Sequence, residues 1–493
     1  MDALGTTSLF LVVFLVFLVA WRNVEAKRKN WPPGPTPLPV IGNLLQLKGT
    51  STAGQLKKLS AKYGSVFMVY FGLDQIVVVY GYNVVKKVLV DSGDDFLNRG
   101  RFPILDKINR GIGLFTSNGE RWVQLRRFSL MTLKNFGMGK KSIEERIQEE
   151  AQHLVKALRE TKGQPLSPTN IFNCGTGNVI SHILLGERFN YKDEAYLRIL
   201  HFITHGFRIE CSFAGKLYNI FPWIMDHLPG PHQTMFKEAF SVQDFVTQKI
   251  EEHVRTFDAT NAPQDFIEAF LLKMEKEKIN PKTEFTTENL MMSIYDLFVA
   301  GMETTSTTLR FTLMLLLEHS AVAAKVHKEI DSVIGQESPP AMTDRPRMPY
   351  TEAVIHEAQR VLDHIPSGLV RKAKRDVELE GFIIPKGATI LPMLTSALND
   401  PEQFENPHRF DPEHFLDEKG NFKKNGADLP FSAGKRNCLG EGLARMELFL
   451  FVTTILQNFR LKYAPGVTKI DLTPDVSGFA NIPRQVPFCF SSR

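Results

Sequence analysis

The sequence predicts a mainly α protein with a minor β region, preceded by one N-terminal transmembrane helix. Three observations predict it. The chain opens on an uncharged apolar run of 19 residues, long stretches of helical apolar periodicity follow, and alternating strand patterns are few and clustered. The 493 residues are 43% hydrophobic and 23% charged, an ordinary globular composition. Four Cys exclude a disulfide scaffold. A net charge of +5 is too mild for a dedicated nucleic-acid binder. With 37 Phe against 4 Trp, the chain has material for a large core or for a large apolar cavity.

The elements follow in order. Ala3 to Trp21 would span roughly 28 Å as a helix, which matches a bilayer core. Asp2 precedes the run, and Arg22, Lys27, Arg28 and Lys29 follow it. That order opposes a cleaved signal peptide, the competing reading, and leaves the body in the cytosol. Residues 1–21 are therefore read as an anchor, 22–43 as a basic, proline-rich linker and 44–493 as one body. Five prolines between Trp31 and Pro39 make the linker stiff and extended, and the apolar Val40 to Leu45 predicts that it packs onto the body. Helical periodicity covers 54–63, 118–135, 142–161, 233–256, 287–318, 321–334, 349–362 and 439–457. Strand patterns at 65–71 and 75–80 flank a Gly-Leu-Asp turn and read as a hairpin. A second strand region covers 377–384 and 388–394, and the last forty residues read as loops and short strands.

The segment Phe431-Ser-Ala-Gly434-Lys-Arg436-Asn-Cys438-Leu-Gly440 runs into an apolar helix. A thiolate at a helix start is stabilised by free amides and the helix dipole. Gly434 suits a sharp turn, Gly440 lets a flat ligand approach the backbone, and Arg436 suits a carboxylate or the thiolate. A single such cysteine is most often a buried small hydrophobe; the complete spacing is what makes the signal specific. The segment resembles the haem-ligand signature of the cytochrome P450 monooxygenases, and the likeness extends along nearly the whole chain. It is nearest to the vertebrate microsomal family-two enzymes, which oxidise drugs, fatty acids and steroids. Cys438 would then be the axial iron ligand of haem b. The resemblance implies the fold of that family, O2 as co-substrate and NADPH electrons delivered by a cytochrome P450 reductase. It also admits a microsomal cytochrome b as a partner, a lipophilic substrate and an endoplasmic reticulum membrane with the body on the cytosolic face.

Further motifs acquire roles by that resemblance. Within 287–318, Ala300 and Thr304 share one helical face, and Gly301 asks for a close-packed neighbour or a distorted turn. Glu303 beside Thr304 resembles the family's acid–threonine element for proton delivery; the bland alternative is a solvated Glu and a Thr bonded back to its own helix. Glu357 and Arg360 match the family's Glu-x-x-Arg, with Arg409 as third member of a buried charge network. Trp122 and Arg126 resemble a Trp-x-x-x-Arg haem-propionate element, and Arg99, Arg371 and Arg436 fall where the family places further propionate partners. Phe102, Phe115, Ala300, Thr304, Leu369 and Phe479 occupy family-like substrate-pocket positions. Arg126, Arg127, Lys134, Lys140, Lys141, Lys423, Lys424 and Lys435 are candidates for docking an acidic electron donor. Cys174, Cys211 and Cys489 have no metal-ligand spacing, and His356-Glu357 is no zinc motif because Arg360 stands where the second His belongs. Three rivals remain: a reductase-independent isomerase or dehydratase of oxidised lipids, a non-enzymatic haem sensor, and a plain membrane-tethered structural protein.

Overall fold

The computed structural model describes residues 30–47, 51–136 and 141–493. The apolar run Ala3 to Trp21, the basic residues after it and Lys140 lie outside them. Among the described residues, no helix is long and apolar enough to cross a membrane. The proline-rich stretch is docked on the body. Pro33 O accepts from Met68 N at 2.8 Å, and a Cβ on Gly34 would stand 2.0 Å from Met68 O. Asn43, fully buried, accepts from Tyr70 N through its side chain and donates to Tyr70 O through its backbone.

Ten helices of twelve residues or more form the bulk of the described chain. They are α1 (Thr52–Tyr63), α2 (Gly119–Asn135), α3 (Lys141–Glu160), α4 (Thr169–Leu185), α5 (Glu194–Cys211), α6 (Pro231–Thr256), α7 (Thr287–Glu318), α8 (Ser320–Val333), α9 (Pro349–Leu362) and α10 (Glu441–Asn458). The strands are β1 (Val66–Phe71), β2 (Asp74–Val79), β3 (Asn98–Arg99), β4 (Arg371–Lys372), β5 (Val377–Leu379), β6 (Phe382–Ile384), β7 (Thr389–Pro392), β8 (Phe459–Tyr463), β9 (Pro474–Ser477), β10 (Asn481–Pro483) and β11 (Phe488–Ser492). The proportions match the mainly α expectation. Helices α4 and α5 carry no clear sequence signal, and the segment 377–384 is itself a small hairpin.

Helix α7 is the axis of the core. Thr286 caps it by accepting from Asn289 N, and Glu288 sits in the first turn, where the positive end of the helix dipole favours it. From Thr305 to Leu317 every residue is buried, as α4, α6, α9 and α10 surround it. Gly301 faces Ile180 of α4; an added Cβ would stand 3.1 Å from it, so close packing is the reason for glycine there. The main sheet has the order β1-β2-β7-β4-β3. The β1–β2 hairpin is antiparallel, and β2 pairs with β7 in parallel. At the far edge β3 and β4 pair antiparallel with Arg99 directly opposite Arg371.

Candidate active site

Cys438 is held by a folded loop, three residues ahead of α10. Its backbone N–H donates to Phe431 O at 2.9 Å, and Asn437 N–H donates to Gly434 O. Gly434 has φ +74, and a Cβ there would meet Leu89 O at 1.9 Å, so only glycine fits. Cys438 lines an inner cavity of about 370 Å³ between α7 and the loop, and its exposure is to that cavity. Burial pushes its thiol pKa up, outweighing the Gly440 amide and the nearby Arg126 and Arg445. A larger cleft of about 1410 Å³ lies elsewhere, between the β1–β2 hairpin and the segment after α5.

Four arginines converge on the inner cavity: Arg99, Arg126, Arg371 and Arg436 all line it. Arg126 Nη2 donates to Asn437 O and Oδ1 at 2.9 and 2.8 Å. Arg436 Nη2 donates to Ser117 O and Asn118 Oδ1 at 2.6 and 3.0 Å, with its guanidinium 4.1 Å above the Trp122 ring. Arg99 Nε donates to Phe115 O at 3.2 Å. These contacts leave Arg99 Nη1, Arg371 Nε, and Arg436 Nε and Nη1 buried without a partner. Burial, then the neighbouring guanidinium charges, push Arg436 down to about 9 and Arg371 down to about 10; Arg99 falls well below its ordinary value for the same reasons. Like charges paired directly across two strands are destabilising, and orphaned buried donors cost roughly 1–3 kcal/mol each. Such a cluster asks for anions.

The cytochrome P450 family profile matches residues 32–490. The chain is 49% identical to cytochrome P450 2C11 of Rattus norvegicus over 476 residues, 97% of this chain and 95% of that protein. It is also 49% identical to cytochrome P450 2C8 of Homo sapiens, over 97% of each chain, and 48% identical to cytochrome P450 2H2 of Gallus gallus along the full length of both. The chain belongs to the cytochrome P450 family. It is a haem-thiolate monooxygenase acting on xenobiotics, fatty acids or steroids, with haem b, O2 and NADPH-derived electrons from a reductase.

The residues present fit the haem of a cytochrome P450. A thiol and four guanidiniums, three of them with unpartnered nitrogens, share one cavity, which is the donor set for an iron and two propionate carboxylates. Phe431 also lines the cavity, with the Arg445 guanidinium 4.8 Å from its ring, and at Gly440 an added Cβ would meet open space.

Glu303 and Thr304 share no hydrogen bond. Thr304 Oγ1 donates to Ala300 O at 2.7 Å on the cavity side of α7. Glu303 turns toward α5, where Oε2 accepts from Thr204 Oγ1 at 2.6 Å and Oε1 from Thr307 Oγ1 at 3.3 Å. Consecutive residues on a helix point about 100° apart, which is why the pair diverges. Burial pushes the Glu303 carboxyl up, against the pull of the Thr204 bond and Arg310. Of the bland alternative, the Thr half is observed and the solvated Glu is not. The chain of bonds continues from Thr204 to Asn173 Nδ2 at 2.9 Å, and Asn173 Oδ1 accepts from Ser306 Oγ at 2.6 Å. Thr204 had no motif to announce it.

Phe115, Ala300, Leu369 and Phe479 line the inner cavity with Thr304. Phe102 does not. It lines the outer cleft and meets Phe479 edge to face at 5.3 Å, so the two rings stand between the compartments. The lining also includes Asp296, whose carboxylate fixes the loop carrying Phe115. It accepts from Leu114 N, Phe115 N and Asn109 Nδ2 at 2.8, 3.0 and 2.6 Å, and burial still pushes its pKa up to about 7. A lone Asp in the apolar stretch Ile294 to Ala300 was the sequence signal for it.

The charge network is corrected in one member. Glu357 and Arg360 form a bidentate pair at 2.7 Å on both arms, each side chain fully buried. Arg409 is not in it: its side chain is 74% exposed beside Asp411, and only its carbonyl accepts from Arg360 Nη2 at 3.1 Å. Glu357 Oε1 also accepts from Asp411 N at 2.8 Å and lies 3.2 Å from His414 Nδ1, so the loop after α9 and not the Arg409 guanidinium completes its partners. Arg360 Nη1 donates to Leu398 O and Pro407 O, which anchors the segment leading toward the cysteine loop. His356 has a separate setting between Asp428 Oδ2 and Glu352 Oε1, with Arg445 Nη1 at 2.8 Å.

Proposed function

We propose that Cys438 ligates the haem iron and that Arg99, Arg126, Arg371 and Arg436, with Trp122 beneath two of them, hold the propionates. The observation that carries this reading is the set of buried, unpartnered guanidinium nitrogens facing the cavity that Cys438 lines. Bound there, haem supplies the redox chemistry that activates O2 with delivered electrons and passes one oxygen atom to a substrate. Phe431 and Gly440 shape the floor near the sulfur. Phe115, Ala300, Leu369 and Phe479 give the substrate compartment an apolar wall, which selects lipophilic molecules and excludes water.

Thr304 presents a hydroxyl to that compartment, and Glu303 keeps its proton to higher pH than an exposed carboxyl because it is buried. These two residues, with Thr204 and Thr307 behind them, handle the protons that the reaction consumes. Glu357 and Arg360 act on the loop, not on the substrate. Residues 44–493 are one catalytic haem domain, joined by the basic, proline-rich linker 22–43 to residues 1–21, which tether it to the endoplasmic reticulum membrane with its face to the cytosol. Arg127, Lys134, Lys423, Lys424 and Lys435 form the surface that receives the reductase or a microsomal cytochrome b.

The carbon-monoxide difference spectrum of the reduced protein tests the centre. A strongly red-shifted haem band is expected, and Cys438→Ala should abolish it; a variant that keeps the band overturns the assignment. Reconstitution with reductase and NADPH, against a fatty acid, a steroid and neutral aromatic drugs, then reads the substrate class.

A further inference from the structure

One cluster of ligating side chains stands apart from the haem cavity. His201 and His205 are four residues apart on α5 and so lie one above the other on one face. Their rings stack at 5.5 Å with planes 8° apart. Glu238 approaches from α6, the helix packed alongside, and its two carboxylate oxygens lie 2.8 and 2.9 Å from His205 Nδ1. One ligand atom from each of the three lies within 4.8 Å of the others.

This is the donor set of a zinc-class ion. Zn2+ takes imidazole nitrogen and carboxylate oxygen at about 2.0–2.2 Å in tetrahedral geometry, which sets neighbouring ligand atoms about 3.4 Å apart. The observed spacings bracket that value, so modest side-chain rotation suffices and the His205–Glu238 hydrogen bond is exchanged for two metal bonds. His201 is exposed, which leaves a path for the ion and room for a water as fourth ligand. Glu238 is buried, so its carboxylate is positioned by packing before any ion arrives. We propose that His201, His205 and Glu238 form a binding site for Zn2+ or a similar borderline divalent cation, bridging α5 and α6. The bridge sits behind a cavity wall: α5 supplies Phe202, Ile203 and Phe207 to the inner cavity, and α6 supplies Met235, Ala239 and Val242. An ion there ties the two helices of that wall together.

The test is Zn2+ titration of the purified, haem-loaded full chain, free of any polyhistidine tag, in competition with a chromophoric chelator. One ion per chain is expected for the parent protein, with affinity at least about tenfold weaker in His201→Ala. His201 is exposed, so this variant should keep the packing of both helices, and its carbon-monoxide spectrum checks that it does. His205→Ala and Glu238→Gln should weaken binding likewise. A melting temperature that rises with Zn2+ in the parent and not in His201→Ala is the second expected readout, because an ion that binds only the folded state stabilises it. Superimposable titrations of parent and His201→Ala, or no binding by the parent up to about 100-fold above micromolar Zn2+, would reduce the cluster to a histidine–carboxylate ion pair and overturn the site.

Discussion

Glu210 shows how much a single side chain sets the chemistry of the cavity. It lies near the end of α5, faces both compartments, and has Oε1 buried without a partner. Burial alone pushes its pKa up from 4.5 to about 8. Below pH 4.5 the carboxyl is neutral in folded and unfolded chains and contributes no difference. Between 4.5 and 8 the unfolded chain releases the proton while the folded one keeps it, so stability falls as pH rises through that window. Glu210→Gln removes this loss. The variant should match the parent's unfolding free energy near pH 4.5 and exceed it at pH 8, by on the order of a few kcal/mol. A gap that stays constant across pH would count against the buried acid. Gly434 is the second residue with a decisive constraint. Its positive φ and the 1.9 Å approach to Leu89 O leave no room for a methyl group. Gly434→Ala should displace the loop that holds Cys438, and haem content per chain, read by the pyridine haemochrome, should fall with it.

Between α9 and the loop after it, the same reasoning separates two arginines that a motif treats alike. Glu357→Ala leaves the Arg360 guanidinium buried and unpaired, which costs about 3–5 kcal/mol and frees the segment anchored at Leu398 and Pro407. Protein without haem is the expected product. Arg409→Ala removes an exposed side chain and keeps the carbonyl, so stability should change by less than about 0.5 kcal/mol with haem retained. Loss of haem in Arg409→Ala would restore it to the network. The motif showed which residues to examine but not which atoms they use: a carbonyl and a guanidinium are indistinguishable in a one-letter string. Elements were legible where local signals agree. Helix α7 begins where its periodicity does because Thr286 caps it, and α9 begins at Pro349, a residue suited to a first helical turn. Helix α4 was not legible. It carries Gly175, Gly177, Asn173 and Asn178, poor helix formers that tertiary structure retains. Gly177 lets Tyr196 and Met302 approach, and the Asn178 side chain bonds Phe189 through both its oxygen and its amide. The opposition of Arg99 and Arg371 was illegible for a different reason, since strand partners so far apart in sequence leave no local trace.

At the scale of the whole molecule, one helix connects the surface to the centre. The inner side of α2 carries Trp122 and Arg126 to the cysteine loop, while its outer side exposes Arg127, Leu130, Met131 and Lys134. A partner seated on that outer side stands about one helix diameter, roughly 10 Å, from the arginine cluster. The face combines exposed apolar side chains with two cations, which suits an acidic redox partner that must bind briefly and leave. Charge of this kind governs encounter more than final affinity and is screened beyond about 8–10 Å at ordinary salt. Arg127→Glu with Lys134→Glu reverses it without touching the cavity. At low ionic strength the double variant should need several-fold more reductase for half-maximal NADPH-dependent turnover, while turnover at saturating reductase and the carbon-monoxide spectrum stay close to the parent's. Raising the salt should bring the two proteins together, because the parent loses its steering and the variant loses its repulsion. Parallel salt profiles would move the docking surface to the other exposed lysines, Lys423, Lys424 and Lys435, of which Lys435 is already paired with Asp94. What favours the α2 face is its composition: exposed Leu130 and Met131 lie between Arg127 and Lys134, and neither cation has a carboxylate among the described ion pairs to satisfy it before the partner arrives.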